Sequence, residues 1–361
     1  SAYWARIRRQ LKVALEPAPT VATTEPVKCT HCNFCAFRDT CEAAWRAADA
    51  LTFVAGIRAT ESAFLAADGV TTMADLAALG RPISGITPER QAVLVKQATM
   101  QVQARSAPDR LPPFELLPFD THAGPAVGLG ALPEPNDGDV FLDYEGHPFW
   151  RADTGLFFLF GLLVKDDDSW VYEAWWAHDL DDEGARTKEL IEYLAARRDQ
   201  HPGMHVYHYN HTERSALEQL AHDHGADQVL LGELIDTGLF IDVLEVIRRG
   251  VIAGVESYGL KHMENFTSYE RTHDIEAGAG AVVEYERYMH ARTDEALTRI
   301  AAYNEDDVRA TLALRDWLVD LRPPGLEWRA PVIDLPGHEE TQLDTRIAAL
   351  HGFPPDSDQY L

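Results

Sequence analysis

Apolar positions change their period several times along the chain. Over residues 2–15 they recur at Ile7, Leu11 and Leu15, which predicts a helix. Pro17, Pro19 and Pro26 break any regular pattern across 16–28, so that stretch is expected to be extended. The alanine-rich run from Glu42 to Ala50 reads as helical. Residues 51–80 hold short helical stretches punctuated by Gly56 and Gly69. Thr87 and Pro88 open a further helix to about Arg105, with proline where its missing N–H costs nothing. Prolines crowd 106–138 and mark the clearest domain boundary. Beyond it the pattern turns to strands. Val140 to Tyr144 predicts a short buried strand. Phe157 to Val164 and Trp170 to Ala177 predict two more, joined by the acidic turn Lys165 to Asp168 as a meander. A helix over 182–198, a strand at Val206 to Tyr209 and a helix over 212–224 follow. A buried segment begins at Leu239, and a last helix spans about 294–321. The chain therefore reads as α/β, a mixed sheet flanked by helices behind a smaller helical region.

Composition sets limits. Of 361 residues, 46% are hydrophobic and 25% charged, ordinary values that exclude a wholly disordered or collagen-like chain. No apolar run approaches the roughly 18 residues of a membrane span, and the N-terminus lacks the apolar stretch of a signal peptide. With 32 basic and 58 acidic residues the net charge is −26, which argues against broad adhesion to nucleic acid or anionic membrane. A local site stays open, because metal ions reverse the sign of a carboxylate cluster.

The four cysteines are Cys29, Cys32, Cys35 and Cys41, spaced C-x2-C-x2-C-x5-C, and the rest of the chain has none. A secreted disulfide protein spreads its cysteines through the fold. This crowding points to a zinc ion or an iron–sulfur cluster in a reducing cytoplasm, with His31 a spare ligand.

Asp143 and Glu145 close the first strand of the second half. Residues i and i+2 of a strand face the same way, so both carboxylates can meet one metal. In the last helix, Tyr303 and Asp307 stand at i and i+4 on one face, while Asp306 points elsewhere. Such acids suit hard cations such as Mg²⁺ or Mn²⁺. His205, His208 and His211 crowd one strand without the spacing of a zinc site and are expected to neighbour a substrate channel.

The Asp143-x-Glu145 and Tyr303-x-x-x-Asp307 pair resembles the Tyr-type DEDD exonucleases, which have a ribonuclease H-like fold. The resemblance implies two Mg²⁺ or Mn²⁺ ions, 3′–5′ hydrolysis of single-stranded nucleic acid with DNA favoured, and a water-orienting role for Tyr303. The family's second motif, Asn-x3-Asp, falls at Asn210. Strict counting puts Arg214 in the acidic slot. A one-residue shift puts Glu213 there, and Asp242 is the competing acid. Lys261 is a candidate phosphate contact, as is Asn210.

The segment Cys32 to Cys41 is similar to the cluster signature of iron–sulfur RecB-like nucleases, which implies a 4Fe–4S cluster. Residues 51–80 resemble a helix-hairpin-helix unit whose backbone N–H groups can hold a phosphate, with Gly56 and Arg58 at the hairpin. The whole order resembles RecB-like nucleases that carry a YprB-type ribonuclease H-like domain, often followed by a helicase. It implies the end of a RecB-like domain with its cysteines at 1–45, a helical domain at 46–106, a linker at 107–137, the exonuclease domain at 138–322 and a tail at 323–361. The RecB-type acids and any phosphate loop are absent here, so the chain is expected to be part of a longer nuclease–helicase protein. The other reading is a noncatalytic module that guides nucleic acid to such neighbours.

Overall fold

The computed structural model describes residues 8–9, 12–13, 26–29, 32, 35–118, 127–151, 154–272 and 278–330. The expected N-terminal helix lies largely outside them, as do His31 and most of the tail. The chain divides into two compact units, with the break after Pro112.

The first unit is helical: α1 (Arg38–Ala47), α2 (Ala59–Ala67), α3 (Met73–Ala77) and α4 (Pro88–Arg105). Leu65, Met73, Leu76, Leu94 and Ala98 form its core. Thr72 Oγ1 caps α3 by accepting from Asp75 N at 3.0 Å, and Thr87 Oγ1 caps α4 by accepting from Arg90 N at 3.3 Å. The expected helix before Gly56 is a single 3-10 turn, Leu51–Phe53. Gly56 turns the chain with φ +73°, a conformation a side chain would strain. Buried Glu61 holds this turn. It accepts from Arg58 N at 2.8 Å and from Arg90 Nε at 2.7 Å, while Arg90 Nη2 donates to the Gly56 carbonyl at 2.6 Å.

The second unit begins with β1 (Phe114–Leu116), then the meander β2 (Val140–Arg151), β3 (Thr154–Asp166) and β4 (Ser169–Trp176). Next come α5 (Leu180–Gln200), β5 (Val206–His208), α6 (Thr212–Asp223), α7 (Gln228–Asp236), β6 (Phe240–Asp242), α8 (Val243–Gly250) and β7 (Val251–Ala253). The short α9 (Leu260–Met263), α10 (Gly278–Ala291) and the long α11 (Asp294–Asp320) complete it. The main sheet has the order β4-β3-β2-β5-β6. Its first three strands are antiparallel, and β2, β5 and β6 run parallel.

Side-chain alternation gives the sheet two apolar faces. Val140 and Leu142 pack with Leu190 and Leu194 of α5 and Leu217 of α6. Phe141, Leu163 and Tyr207 face the other way, onto Ile247 of α8 and Val308, Leu314 and Leu318 of α11. Asp143 and Glu145 continue the Phe141 face, so the strand's own period aims them at α11.

Three expectations change. The first strand does not stop at Tyr144 but continues to Arg151 as a long hairpin arm against β3. The expected linker 107–137 is partly built into the second unit. Phe114 pairs opposite Ala253 in the β1–β7 ribbon, and Leu129 and Leu132 are buried. Its prolines interrupt regular structure without preventing apolar side chains between them from packing. The helices α7, α8 and α10 were not read as separate elements from the sequence pattern.

Candidate metal centre

Three acids meet where β2 passes under α11. One carboxylate oxygen from each of Asp143, Glu145 and Asp307 lies within 4.8 Å of the others. Asn304 locks the junction from the helix side and is completely buried. Its Nδ2 donates to Asp143 Oδ2 at 2.7 Å, and its Oδ1 accepts from Tyr172 of β4 at 2.8 Å. Room for Asn304 comes from Gly161, opposite Asp143 in the β2–β3 register. A Cβ at position 161 would stand 1.6 Å from Asn304 Oδ1.

The electrostatics describe a site short of positive charge. Burial, then repulsion from Asp307, Glu145 and Glu213, pushes the Asp143 carboxyl well above its usual range. Burial and Asp307 do the same to Glu145. Burial raises Asp307 too, against the opposing charge of Arg271. Clustered, buried, oxygen-only donors that repel one another fit a hard divalent cation. Tyr303, which bonds Asp307, is pushed far up by burial and by Asp307, Glu145 and Asp143, so its hydroxyl keeps its proton at neutral pH.

The second-motif residues separate clearly. Glu213, in the first turn of α6, is buried, and its Oε2 has no hydrogen-bond partner among the described residues. Its charge is felt by Asp143, yet it stands outside the three-acid group. This orphaned oxygen beside Asp143 fits a further cation ligand. Arg214 is about half exposed and pairs with Glu218 at 3.6 Å. Asp242 has other work. Its Oδ1 caps α8 by accepting from Glu245 N at 3.2 Å and accepts from Asn210 N at 3.0 Å. Asn210 sits at φ +90° and bonds His211 through its side chain. His208 is buried, with Nδ1 on the Asn210 carbonyl and 3.5 Å from Glu213 Oε2. His211 is exposed. His205 sits at the opposite end of β5 from Asn210, where burial lowers its pKa to about 4.

Two cations border the acids. Lys261 lies 5.2 Å from the Tyr303 ring centroid and its charge reaches Glu145 and Asp307. Arg271 Nη1 lies 2.6 Å from Asp307 Oδ1. Asp306 faces away from the group and anchors the Arg271 loop, accepting from Thr272 N at 2.8 Å and from the Tyr269 hydroxyl.

Sequence reasoning missed Asn304, Gly161 and Arg271. A glycine inside the apolar run of β3 is a recognised sign of close approach, and Asn304 lies three residues before Asp307 at helical spacing. Arg271 carried no local signal.

The cysteines lie in the first unit. Successive turns join them: Cys32 N donates to Cys29 O at 3.0 Å, Cys35 N to Cys32 O at 3.3 Å, and Cys41 falls in α1. Among the described residues the acidic trio forms the metal-spaced group. In the hairpin, Arg58 extends into solvent with its side chain 75% exposed. No helix among the described residues is long and apolar enough to cross a membrane.

Residues 140–319 match a family model described as the RNase_H superfamily. No curated protein and no solved structure matches the chain.

Proposed function

We propose that the ribonuclease H-like domain at 140–319 is a metal-dependent 3′–5′ exonuclease of single-stranded nucleic acid, with DNA the favoured substrate. The observation that carries this reading is the convergence of Asp143, Glu145 and Asp307 beside Tyr303. Asp143, Glu145 and Asp307 would hold the divalent cation, Mg²⁺ or Mn²⁺, and the unpartnered Oε2 of Glu213 would serve a second. Such cations lower the pKa of water and offset charge on a leaving oxygen. Tyr303 acts as a protonated hydroxyl, so it orients a water and does not abstract its proton. Asn304 fixes the Asp143 carboxylate in one orientation. Lys261 offers a positive charge to the phosphate at the rim of the acids, and Asn210 lies at the head of α6 next to Glu213.

The cysteines are assigned to a 4Fe–4S cluster, with zinc the alternative, and the exposed Arg58 beside Gly56 to contact with the nucleic acid backbone. Iron and zinc analysis of the purified chain decides the first point. Nuclease and helicase domains of a longer cytoplasmic DNA-processing protein are the proposed partners.

The test is cleavage of 5′-labelled single-stranded DNA and RNA in Mn²⁺, with Asp143→Asn and Asp307→Asn beside the wild type. The expected result is a ladder shortening from the 3′ end that both substitutions abolish. A second reading, a noncatalytic guiding module, is favoured by Glu213 standing apart from the trio. Binding of the strand without cleavage by folded wild type would select it.

A further inference from the structure

Arg271 has no role in the mechanism above, yet it touches a member of the acid group. Its guanidinium is strongly polarised in its bonding. Nε and Nη2 form a two-pronged contact with Glu264, at 2.7 and 2.6 Å. The third nitrogen, Nη1, lies 2.6 Å from Asp307 Oδ1. That contact is single, and it pairs the two opposite charges. The arginine thus has a two-pronged anchor on Glu264 and a single-nitrogen contact with Asp307. All three side chains are nearly buried, at 14, 12 and 13% exposure, so water screens the charges poorly. The loop that carries Arg271 is pinned in turn, by Tyr269 and Thr272 on Asp306.

We infer that Arg271 is a resident cation of the acid centre, which competes with the divalent ion for Asp307 and thereby sets that ion's affinity. The inference rests on the metal-centre reading of Asp143, Glu145 and Asp307. Its physical basis is that the anchor and the contact are separable. A fork held by Glu264 keeps the positive charge in place whether or not Asp307 is engaged elsewhere. An incoming divalent cation therefore meets a carboxylate already in contact with a positive charge, and meets the repulsion of that charge as well. Arg271 acts through Asp307 and is a positioning residue in this scheme, distinct from Lys261 at the rim.

The sign of one measurement separates this role from a merely structural one. If Arg271 only held Asp307 in place, its loss would disorder the ligand and weaken cation binding. As a competitor, its loss strengthens binding. The experiment is calorimetric titration of MnCl₂ into the full chain, as wild type, Arg271→Lys, Arg271→Gln and the double variant Arg271→Gln with Glu264→Gln. The double variant leaves no buried unpaired carboxylate at 264, so it keeps the test open should the single variant fold poorly. The expected result is Mn²⁺ affinity raised about tenfold or more in the glutamine variants, with Arg271→Lys close to wild type. Equal or weaker affinity in the folded glutamine variants, with wild type binding Mn²⁺, would overturn the competition while leaving the metal centre standing. Absence of Mn²⁺ binding in every variant would overturn the metal-centre reading and this inference together.

Discussion

At the scale of single residues, the centre depends on what is absent as much as on its acids. Asn304 reaches Asp143 because position 161 has no side chain. A methyl there would overlap the Asn304 carbonyl oxygen, and both neighbours are held, one by β3 and the other by the Tyr172 hydroxyl. Gly161→Ala is therefore expected to cost about 2 kcal/mol of stability, in the range of overpacked cores. It should also weaken Mn²⁺ binding, since Asp143 loses the donor that orients it. Urea unfolding and calorimetry check the two effects, and unchanged values in both would refute the fit described. The acids themselves were readable from Asp143-x-Glu145 and Tyr303-x-x-x-Asp307, because alternation in a strand and the i, i+4 relation in a helix are local rules. Asn304 lay unnoticed inside the same motif. Its importance comes from Tyr172 and Asp143 on two strands, and no spacing within α11 announces those partners.

At the scale of elements, the helix-to-strand junctions decide which acids reach the centre. Asp242 ends β6, whereas Glu213 lies past the end of the neighbouring parallel strand β5, in the first turn of α6. The difference is the backbone each serves. Asp242 is the N-cap of α8 and also takes the Asn210 N–H, so its Oδ1 is committed. Glu213 lies inside the first turn of α6, and its Oε2 accepts no hydrogen bond from the described residues. Asp242→Ala should thus cost about 1 kcal/mol as a lost cap and leave Mn²⁺ affinity close to wild type. Urea unfolding paired with Mn²⁺ titration tests this, and loss of cation binding in the folded variant would return Asp242 to the list of ligands. The meander, α5, β5, α6 and α11 were each legible from the period of their apolar residues. The α8 helix was not, and the stretch before Gly56, read as helical, forms only a single 3-10 turn. The extension of β2 to Arg151 was hidden too, since its outer residues alternate about an exposed hairpin and not a core.

At the scale of the whole molecule, the proposed function requires a chain of net charge −26 to hold a polyanion at a cluster of carboxylates. On that reading, divalent cations would supply the missing charge. Fluorescence anisotropy with a phosphorothioate-linked DNA strand, which resists cleavage, should show affinity about tenfold higher in Mn²⁺ than in chelator at matched ionic strength. Asp143→Asn should lose most of that gain; an equal gain in the variant would place the cation's effect elsewhere. The sequence alone determined the class of fold, a chain break among the prolines, and the shared faces of Asp143 with Glu145 and of Tyr303 with Asp307. Each follows from rules that act over a few residues: apolar period, strand alternation, helical spacing and the chain-breaking character of proline. Tertiary structure alone decided that Arg271 meets Asp307, that Asn304 bridges to Asp143, and that Glu213 rather than Arg214 turns inward. Those contacts join segments far apart in the chain, and their energies come from burial and from charges brought together out of water, neither of which exists until the sheet and α11 have packed.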